Sequence, residues 1–65
     1  MGDVQRKAAN LHQLAGIYAN KGEVDEAIAL FNQSLEIFER IGDVQGKAMT
    51  LHQLGMIYAN KGDVE

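Results

Sequence analysis

The 65-residue sequence predicts an all-α fold of three antiparallel helices, built as one and a half copies of a helix-turn-helix unit. The first observation is self-similarity at a fixed offset of 40 positions. The second is glycine at the points where helices would end, and the third is apolar residues spaced at three and four positions, typical of amphipathic helices. Because such units bury their apolar faces by stacking, we expect a fragment of an α-solenoid.

The repeat is nearly exact at the residue level. Leu11-His12-Gln13-Leu14 recurs as Leu51-His52-Gln53-Leu54, and 17 of the 24 pairs that align residues 2–25 with 42–65 are identical, since seven differ. Such closeness indicates a recent duplication or an engineered repeat. We therefore predict one domain over residues 1–65, with a complete repeat at 2–41 and a half repeat at 42–65 that holds only the first helix of the unit.

Turn and capping residues set the helix boundaries at about 4–21, 24–41 and 44–61. Asp3 and Asp43 are suited to N-caps, because a short carboxylate accepts hydrogen bonds from the free amides of a first turn. Gly22, Gly42 and Gly62 are placed where a helix ends in a left-handed residue. The connections are so short that neighbouring helices must run antiparallel.

The apolar residues of each helix predict how the helices pack. In the first and third helices they form one arc, which predicts burial of Val4, Ala8, Leu11, Leu14, Ala15, Tyr18 and Ala19, and of Val44, Ala48, Leu51, Leu54, Gly55, Tyr58 and Ala59. In the second helix the stripe is wider and includes Val24, Ala27, Ile28, Leu30, Phe31, Leu35, Ile37, Phe38 and Ile41. A helix that is apolar over nearly half its surface is expected to lie between two others.

Composition argues against several classes of function. Six Lys and Arg residues against nine Asp and Glu give a formal charge of −3 without a basic stripe, which argues against nucleic acid as a partner. No apolar run approaches the length of a membrane span and no signal segment is recognised, so we expect no membrane association and assign the cytoplasm by default. Without cysteine, and with Ser34 as the only serine, the chain offers neither a thiolate metal site nor a nucleophile paired with a base. We expect no enzyme activity, no cofactor and no metal.

The spacing of Leu14-Ala15, Tyr18, Gly22, Ala27 and Phe31, repeated in part by Leu54-Gly55, Tyr58 and Gly62, resembles the signature of the tetratricopeptide repeat family. The 40-residue period is longer than the usual 34 and is more similar to the repeats of Leu-Gly-Asn-rich polarity adaptors and kinesin light chains. The resemblance implies a non-catalytic scaffold that binds peptides or other proteins. Ser34 stands where the family usually has alanine, and Leu11 and Leu51 stand where it often has tryptophan.

By this resemblance, the first helix of each unit lines an inner groove. The groove-facing candidates for peptide binding are uncharged at neutral pH and rich in amides, which suits hydrogen bonding to an extended backbone: Gln5, His12, Gln13, Asn20, Met49, His52, Gln53, Met56 and Asn60. Plain solvated residues without a ligand are an equal alternative. Two histidines alone make an incomplete metal site. For Met49 and Met56 we favour packing against the smaller Ala9 and Gly16 over a flexible binding patch.

The half repeat lacks the helix that would cover the far side of helix 44–61. We therefore expect the chain to self-associate as a homodimer or larger assembly through Leu51, Leu54, Ile57 and Tyr58. Because the two related helices are so alike, helix 44–61 is also expected to be able to replace helix 4–21 of a second copy, which would give a domain-swapped assembly. A peptide-binding adaptor that uses the inner groove is the alternative function.

Overall fold

A computed structural model describes residues 2–61 of the chain as three α-helices. These are α1 (Gly2–Asn20), α2 (Val24–Ile41) and α3 (Val44–Lys61). The all-α prediction and its helix order are confirmed, with ends within two residues of those expected. Gly62, the predicted end of α3, lies outside the described residues.

Glycine and aspartate residues produce the two reversals of the chain. Gly22 and Gly42 have φ of 87° and 75°, the left-handed conformation that L side chains rarely adopt. At the second reversal, the Asp43 amide donates to the Phe38 carbonyl at 2.9 Å, and Asp43 Oδ1 accepts a hydrogen bond from the Gly46 amide at 2.9 Å. Asp43 is therefore the N-cap of α3, as predicted. Asp3 is not an N-cap, because α1 already begins at Gly2 and places Asp3 in its first turn.

The helical period divides α1 and α3 into three matching faces of six residues each. We call the first the forward face, formed by residues 4, 8, 11, 15, 18 and 19 in α1 and by 44, 48, 51, 55, 58 and 59 in α3. The rear face is formed by residues 3, 6, 7, 10, 14 and 17 in α1 and by 46, 47, 50, 54 and 57 in α3, together with the N-cap residue 43. The concave face is formed by residues 5, 9, 12, 13, 16 and 20 and by 45, 49, 52, 53, 56 and 60.

The two related helices pack on α2 with different faces. On α1 it is the forward face that packs, since Ala8 and Ala15 are fully buried and Leu11, Tyr18 and Ala19 are half-buried. On α3 it is the rear face, where Gly46, Thr50 and Leu54 are buried and the other three residues are half-buried. As expected from its wide apolar stripe, α2 lies between the other two helices.

The hydrophobic core lies where all three helices meet. Ala15, Ala27, Phe31 and Leu54 form its buried centre, and partly buried side chains surround it: Tyr18, Ala19, Ile28, Leu30, Leu35 and Ile57. Ser34 is also fully buried, and its hydroxyl donates to the Ala8 carbonyl at 2.9 Å. A small side chain with a satisfied hydroxyl thus takes the place of the alanine that the repeat pattern leads one to expect.

The prediction that the whole apolar arc of α3 is buried is wrong. Of that arc only Leu54 is buried, whereas Val44, Ala48, Leu51, Gly55, Tyr58 and Ala59, which together are its forward face, are exposed. In α1, Val4 and Leu14 are exposed too. The physical reason is that α2 is a single helix and covers one face of α3, and the small Gly46 lets that face be the rear one. Over the described range, no helix is both long enough and apolar enough to cross a membrane.

Candidate interaction surfaces

The concave face gathers the residues predicted to bind a peptide. Asn20, Gln53, Met56 and Asn60 line a cleft of about 330 Å³ between the end of α1, the start of α2 and the second half of α3. The remaining wall comes from Ala19, Val24, Ile57 and Lys61. Amides and a thioether around an apolar floor offer hydrogen bonds together with adaptable contacts. Four of the nine predicted residues therefore form one cavity.

Two other predicted residues connect α1 to α3 instead of lining this cleft. Gln5 Nε2 donates to Asp43 Oδ2 at 3.2 Å, and His12 Nδ1 lies 3.2 Å from Thr50 Oγ1. Gln13, Met49 and His52 are exposed on the same concave face but are not part of the cleft wall. The groove between α1 and α3 is thus closed by polar contacts near Gln5 and His12. It is open at the other end, where the cleft lies.

The environment of His12 indicates its protonation state. The Thr50 hydroxyl donates its hydrogen to the Gly46 carbonyl at 2.8 Å, so the oxygen of Thr50 is left to accept a hydrogen bond from His12 Nδ1–H. The imidazole also stands edge-on to the Phe31 ring, with 5.1 Å between centroids. Burial lowers the pKa of His12 below its ordinary value, because the charged ring loses water. At neutral pH, His12 is therefore a neutral structural donor.

The two methionines do not pack as predicted. Met49 is 56% exposed and Met56 is 50% exposed, so neither fills the space beside Ala9 and Gly16. The interpretation based on packing is wrong because α1 and α3 touch at few points and leave a groove between them. Met56 instead forms part of the cleft wall, where its flexible side chain is available to a ligand.

The forward face of α3 is an uncovered apolar surface of the described chain. Val44 is 77% exposed, Leu51 47% and Tyr58 39%, and the small residues Ala48, Gly55 and Ala59 lie exposed among them. Of the four residues predicted for self-association, Leu51 and Tyr58 lie on this face. Leu54 and Ile57 lie on the rear face, where Leu54 is only 7% exposed and Ile57 packs against the core of its own chain.

A second uncovered surface, the rear face of α1, was not identified from the sequence. All six of its residues are exposed, including Leu14 and Ile17, and a groove of about 300 Å³ runs along it. The signal was present, since Leu14 and Ile17 are three positions apart and lie on one side of a helix with Arg6 and Lys7. It was overlooked because Leu14 was assigned to the buried arc.

The histidine and acidic side chains of the described residues are not grouped as metal ligands. Within the range 2–61, no group of three or more His, Cys, Asp or Glu side chains is placed to hold a metal ion. His12, whose pKa is lowered by burial, contacts Phe31 and Thr50, and the Thr50 hydroxyl is already hydrogen-bonded to the Gly46 carbonyl.

Comparison with known proteins agrees with this architecture. Residues 6–65 match the family model of the tetratricopeptide repeat. No match was found among curated proteins or among solved structures. The match spans nearly the whole chain. The chain belongs to the tetratricopeptide repeat family, whose members are non-catalytic modules for protein–protein interaction.

Proposed function

We propose that this chain is an interaction module that associates with a second copy of itself through the forward face of α3. The observation that carries the proposal is the exposure of Val44, Leu51 and Tyr58 on a face whose counterpart in α1 is covered by α2. Five of the six residues of the two forward faces are identical, and the sixth pair is Ala15 and Gly55. A face of this composition packs well against a helix, and no helix within residues 2–61 covers it in α3.

The spacing along this face suits a two-fold axis. Val44 and Tyr58 each lie seven residues, or two helical turns, from Leu51. In an antiparallel pair of α3 helices centred on Leu51, each Val44 would face Tyr58 of the second copy. Ala48 and Gly55 lie between these contacts and are small enough to let the helices approach closely. Lys47 and Lys61 would not face each other in this register, so like charges stay apart.

The uncovered face is large enough for a weak dimer. An α3 pair that removed about 500 Å² of apolar surface per chain from water would gain about 12 kcal/mol per chain. The loss of translational and rotational freedom opposes this with roughly 4–15 kcal/mol, and stable complexes usually bury about 800 Å² per partner. Because the buried area falls short of that size, and because side-chain ordering at the interface adds to the opposing terms, we expect a weak dimer with a dissociation constant of about 10 μM to 1 mM.

Sedimentation equilibrium over that concentration range tests the proposal. We expect a monomer–dimer equilibrium that the substitution Leu51→Asp abolishes, because a carboxylate at the centre of the pair would be buried without a partner. Leu14→Asp is the matched control, since Leu14 is 42% exposed but lies on α1, and it should leave the equilibrium unchanged. A wild-type chain that stays monomeric at about 1 mM would contradict the proposal.

Domain swapping through α3 uses the same residues and needs a separate test. In the swapped arrangement, α3 would replace α1 on α2 of a second copy, so Leu51 would face α2 and not another Leu51. The chain has no cysteine, which makes Leu51→Cys a unique label. A short bismaleimide should link two such chains if the α3 helices pair face to face. Concentration-dependent dimers that resist this link would favour the swapped form.

Peptide binding in the cleft of the concave face is the second candidate function. It is supported by the convergence of Asn20, Gln53, Met56 and Asn60 on one cavity of about 330 Å³. Screening a library of extended peptides against the chain by heteronuclear NMR would test it. We expect shifts at the amide groups of Asn20, Gln53 and Asn60, and loss of binding in Gln53→Glu. Shifts confined to the forward face of α3 would argue against this function.

A further inference from the structure

The concave face of α3 carries a stripe of three soft metal-binding side chains that self-association does not use. His52 lies three residues after Met49 and four before Met56, so each methionine is a helical neighbour of the imidazole, with about 5–6 Å between Cβ atoms. Met49 and Met56 are 56% and 50% exposed, and His52 is exposed between them. The stripe therefore faces solvent and does not belong to the hydrophobic core.

The imidazole of His52 is available to a ligand, whereas that of its counterpart in α1 is not. His12 Nδ1 lies 3.2 Å from Thr50 Oγ1, and the His12 ring stands edge-on to Phe31. Within residues 2–61, His52 makes no hydrogen bond and no ring contact through its side chain. Over that range, both ring nitrogens of His52 are therefore open, and one of them is able to act as a neutral metal ligand.

The stripe is missing from α1, although the two segments are nearly identical in sequence. The positions of α1 that correspond to the stripe hold Ala9, His12 and Gly16. Two of the seven differences between the aligned segments therefore place a thioether on each side of one histidine. The chain has only three methionines, and the third, Met1, lies outside the described residues. This concentration of sulfur around His52 favours a specific use of the three side chains.

The donor atoms of the stripe select a soft monovalent ion. Thioethers are poor ligands for hard divalent cations but bind Cu(I), and imidazole suits copper as well. Zinc would need further His, Cys or carboxylate ligands, and the concave face of α3 contains no charged residue, since its remaining positions hold Gln45, Gln53 and Asn60. An ion with a filled d shell imposes little geometry on its ligands. Flexible methionine side chains are therefore able to reach it from both sides of the imidazole.

From this arrangement we propose that Met49, His52 and Met56 bind one Cu(I) ion through two thioether sulfurs and one imidazole nitrogen. The sequence-based expectation of no metal considered thiolate, imidazole and carboxylate ligands and did not consider thioethers. The site lies on the concave face, so it is separate from the forward face through which α3 is proposed to pair. Binding needs no change in the fold, because all three side chains are exposed on one helix.

An anaerobic titration with Cu(I), in competition with the coloured chelator bicinchoninate, measures the affinity of the site. The chain is kept below about 10 μM, where self-association is weak. We expect one Cu(I) ion to bind per chain. Met49→Leu, Met56→Leu and His52→Gln should each weaken the affinity by at least about tenfold, because each removes a ligand. Gln45→Leu, an exposed change one turn before Met49, is the matched control and should leave the affinity unchanged.

Ag(I), a soft ion that is not oxidised in air, allows the ligands to be identified by NMR. We expect the ε-methyl signals of Met49 and Met56 and the ring signals of His52 to shift, while the signals of Met1 and His12 stay in place. Leucine has nearly the size and helix propensity of methionine and lacks only the sulfur donor. Because the substituted positions are exposed, the variants should keep the helical circular dichroism of the wild-type chain.

Three results would overturn the proposal. The first is a Cu(I) affinity that is the same in the wild-type chain and in the double variant Met49→Leu, Met56→Leu. The second is a loss of affinity in only one of the two single methionine variants, since the site needs both sulfurs. The third is Ag(I) binding that shifts the signals of Met1 or His12 and leaves those of the stripe in place.

Discussion

Gly46 determines how closely α3 approaches α2. Its Cα packs against the Phe38 ring at a distance that leaves no space for a side chain. A glycine inside a helix is normally unfavourable by roughly 0.5–1 kcal/mol relative to alanine, since the unfolded chain loses more freedom. At this position the loss is offset by the close packing of α3 against the buried Phe38 ring, which a Cβ atom would prevent.

We predict that Gly46→Ala destabilises the fold by about 1–2 kcal/mol, because overpacking against Phe38 exceeds the gain in helix propensity. Gly16→Ala is the matched change, since no atom lies within 4 Å of a Cβ built there. It should stabilise the chain by up to about 1 kcal/mol. Urea denaturation followed by circular dichroism measures both changes. Stabilisation by Gly46→Ala would show that α3 does not pack as described.

His12 makes stability depend on pH. Its pKa is lowered by burial, so the unfolded chain takes up a proton before the folded chain does. The stabilising contribution is complete above the unfolded pKa of about 6.5 and is lost as pH falls from there through the lowered pKa. Phe31 and Thr50 are the groups that contact the ring, and neither carries a charge that would offset the protonation.

We therefore predict that the melting temperature decreases as pH falls below 6.5, and that His12→Gln removes most of this slope. Glutamine is still able to donate a hydrogen bond to Thr50, so the substitution tests charge and not only contact. An NMR titration of the two imidazoles provides a direct check. A His12 midpoint at or above 6.5 would contradict the assignment.

At the scale of the helix, α1 and α3 have similar sequences but pack on α2 with different faces. α1 covers α2 with its forward face, α3 covers α2 with its rear face, and each leaves exposed the face that the other uses. The substitutions between them follow this division. Gly46 and Thr50 on the packed rear face of α3 correspond to Arg6 and Asn10 on the exposed rear face of α1. Two nearly identical segments thus expose two different faces.

The unequal packing of the helices predicts an order of local stability. The α1–α2 interface is the more extensive, whereas α3 rests on one face and touches α1 at few points. In hydrogen exchange at a concentration where the chain is monomeric, we expect central amides of α3 to exchange at least about tenfold faster than those of α2. Leu54→Ala should accelerate exchange in α3 more than in α1. Uniform protection across the three helices would contradict this order.

For the molecule as a whole, the sequence predicted the number of helices, their order and the central place of α2, because periodicity and glycines report these directly. It did not predict which face of α3 meets α2. The forward face of α3 contains Leu51 and its rear face contains Leu54, so both faces are apolar in the sequence. The residues that decide which face meets α2 are Gly46 and Thr50. Buried small and polar residues do not contribute to a hydrophobic pattern. The role of Gly46 and Thr50 in the α2–α3 contact therefore becomes clear only from the three-dimensional position of Phe38.

Self-association should make the stability of the molecule depend on its concentration. A dimer that forms only from folded chains stabilises them by mass action, so the melting temperature should rise between about 10 μM and 1 mM. Leu51→Asp should melt at the same temperature across this range, because the forward face of α3 then no longer pairs. Leu14→Asp should retain the rise, since it alters an exposed leucine on the opposite face of the related helix. A melting temperature independent of concentration in the wild-type chain would contradict self-association, and the cleft of the concave face would remain as the candidate site for a partner.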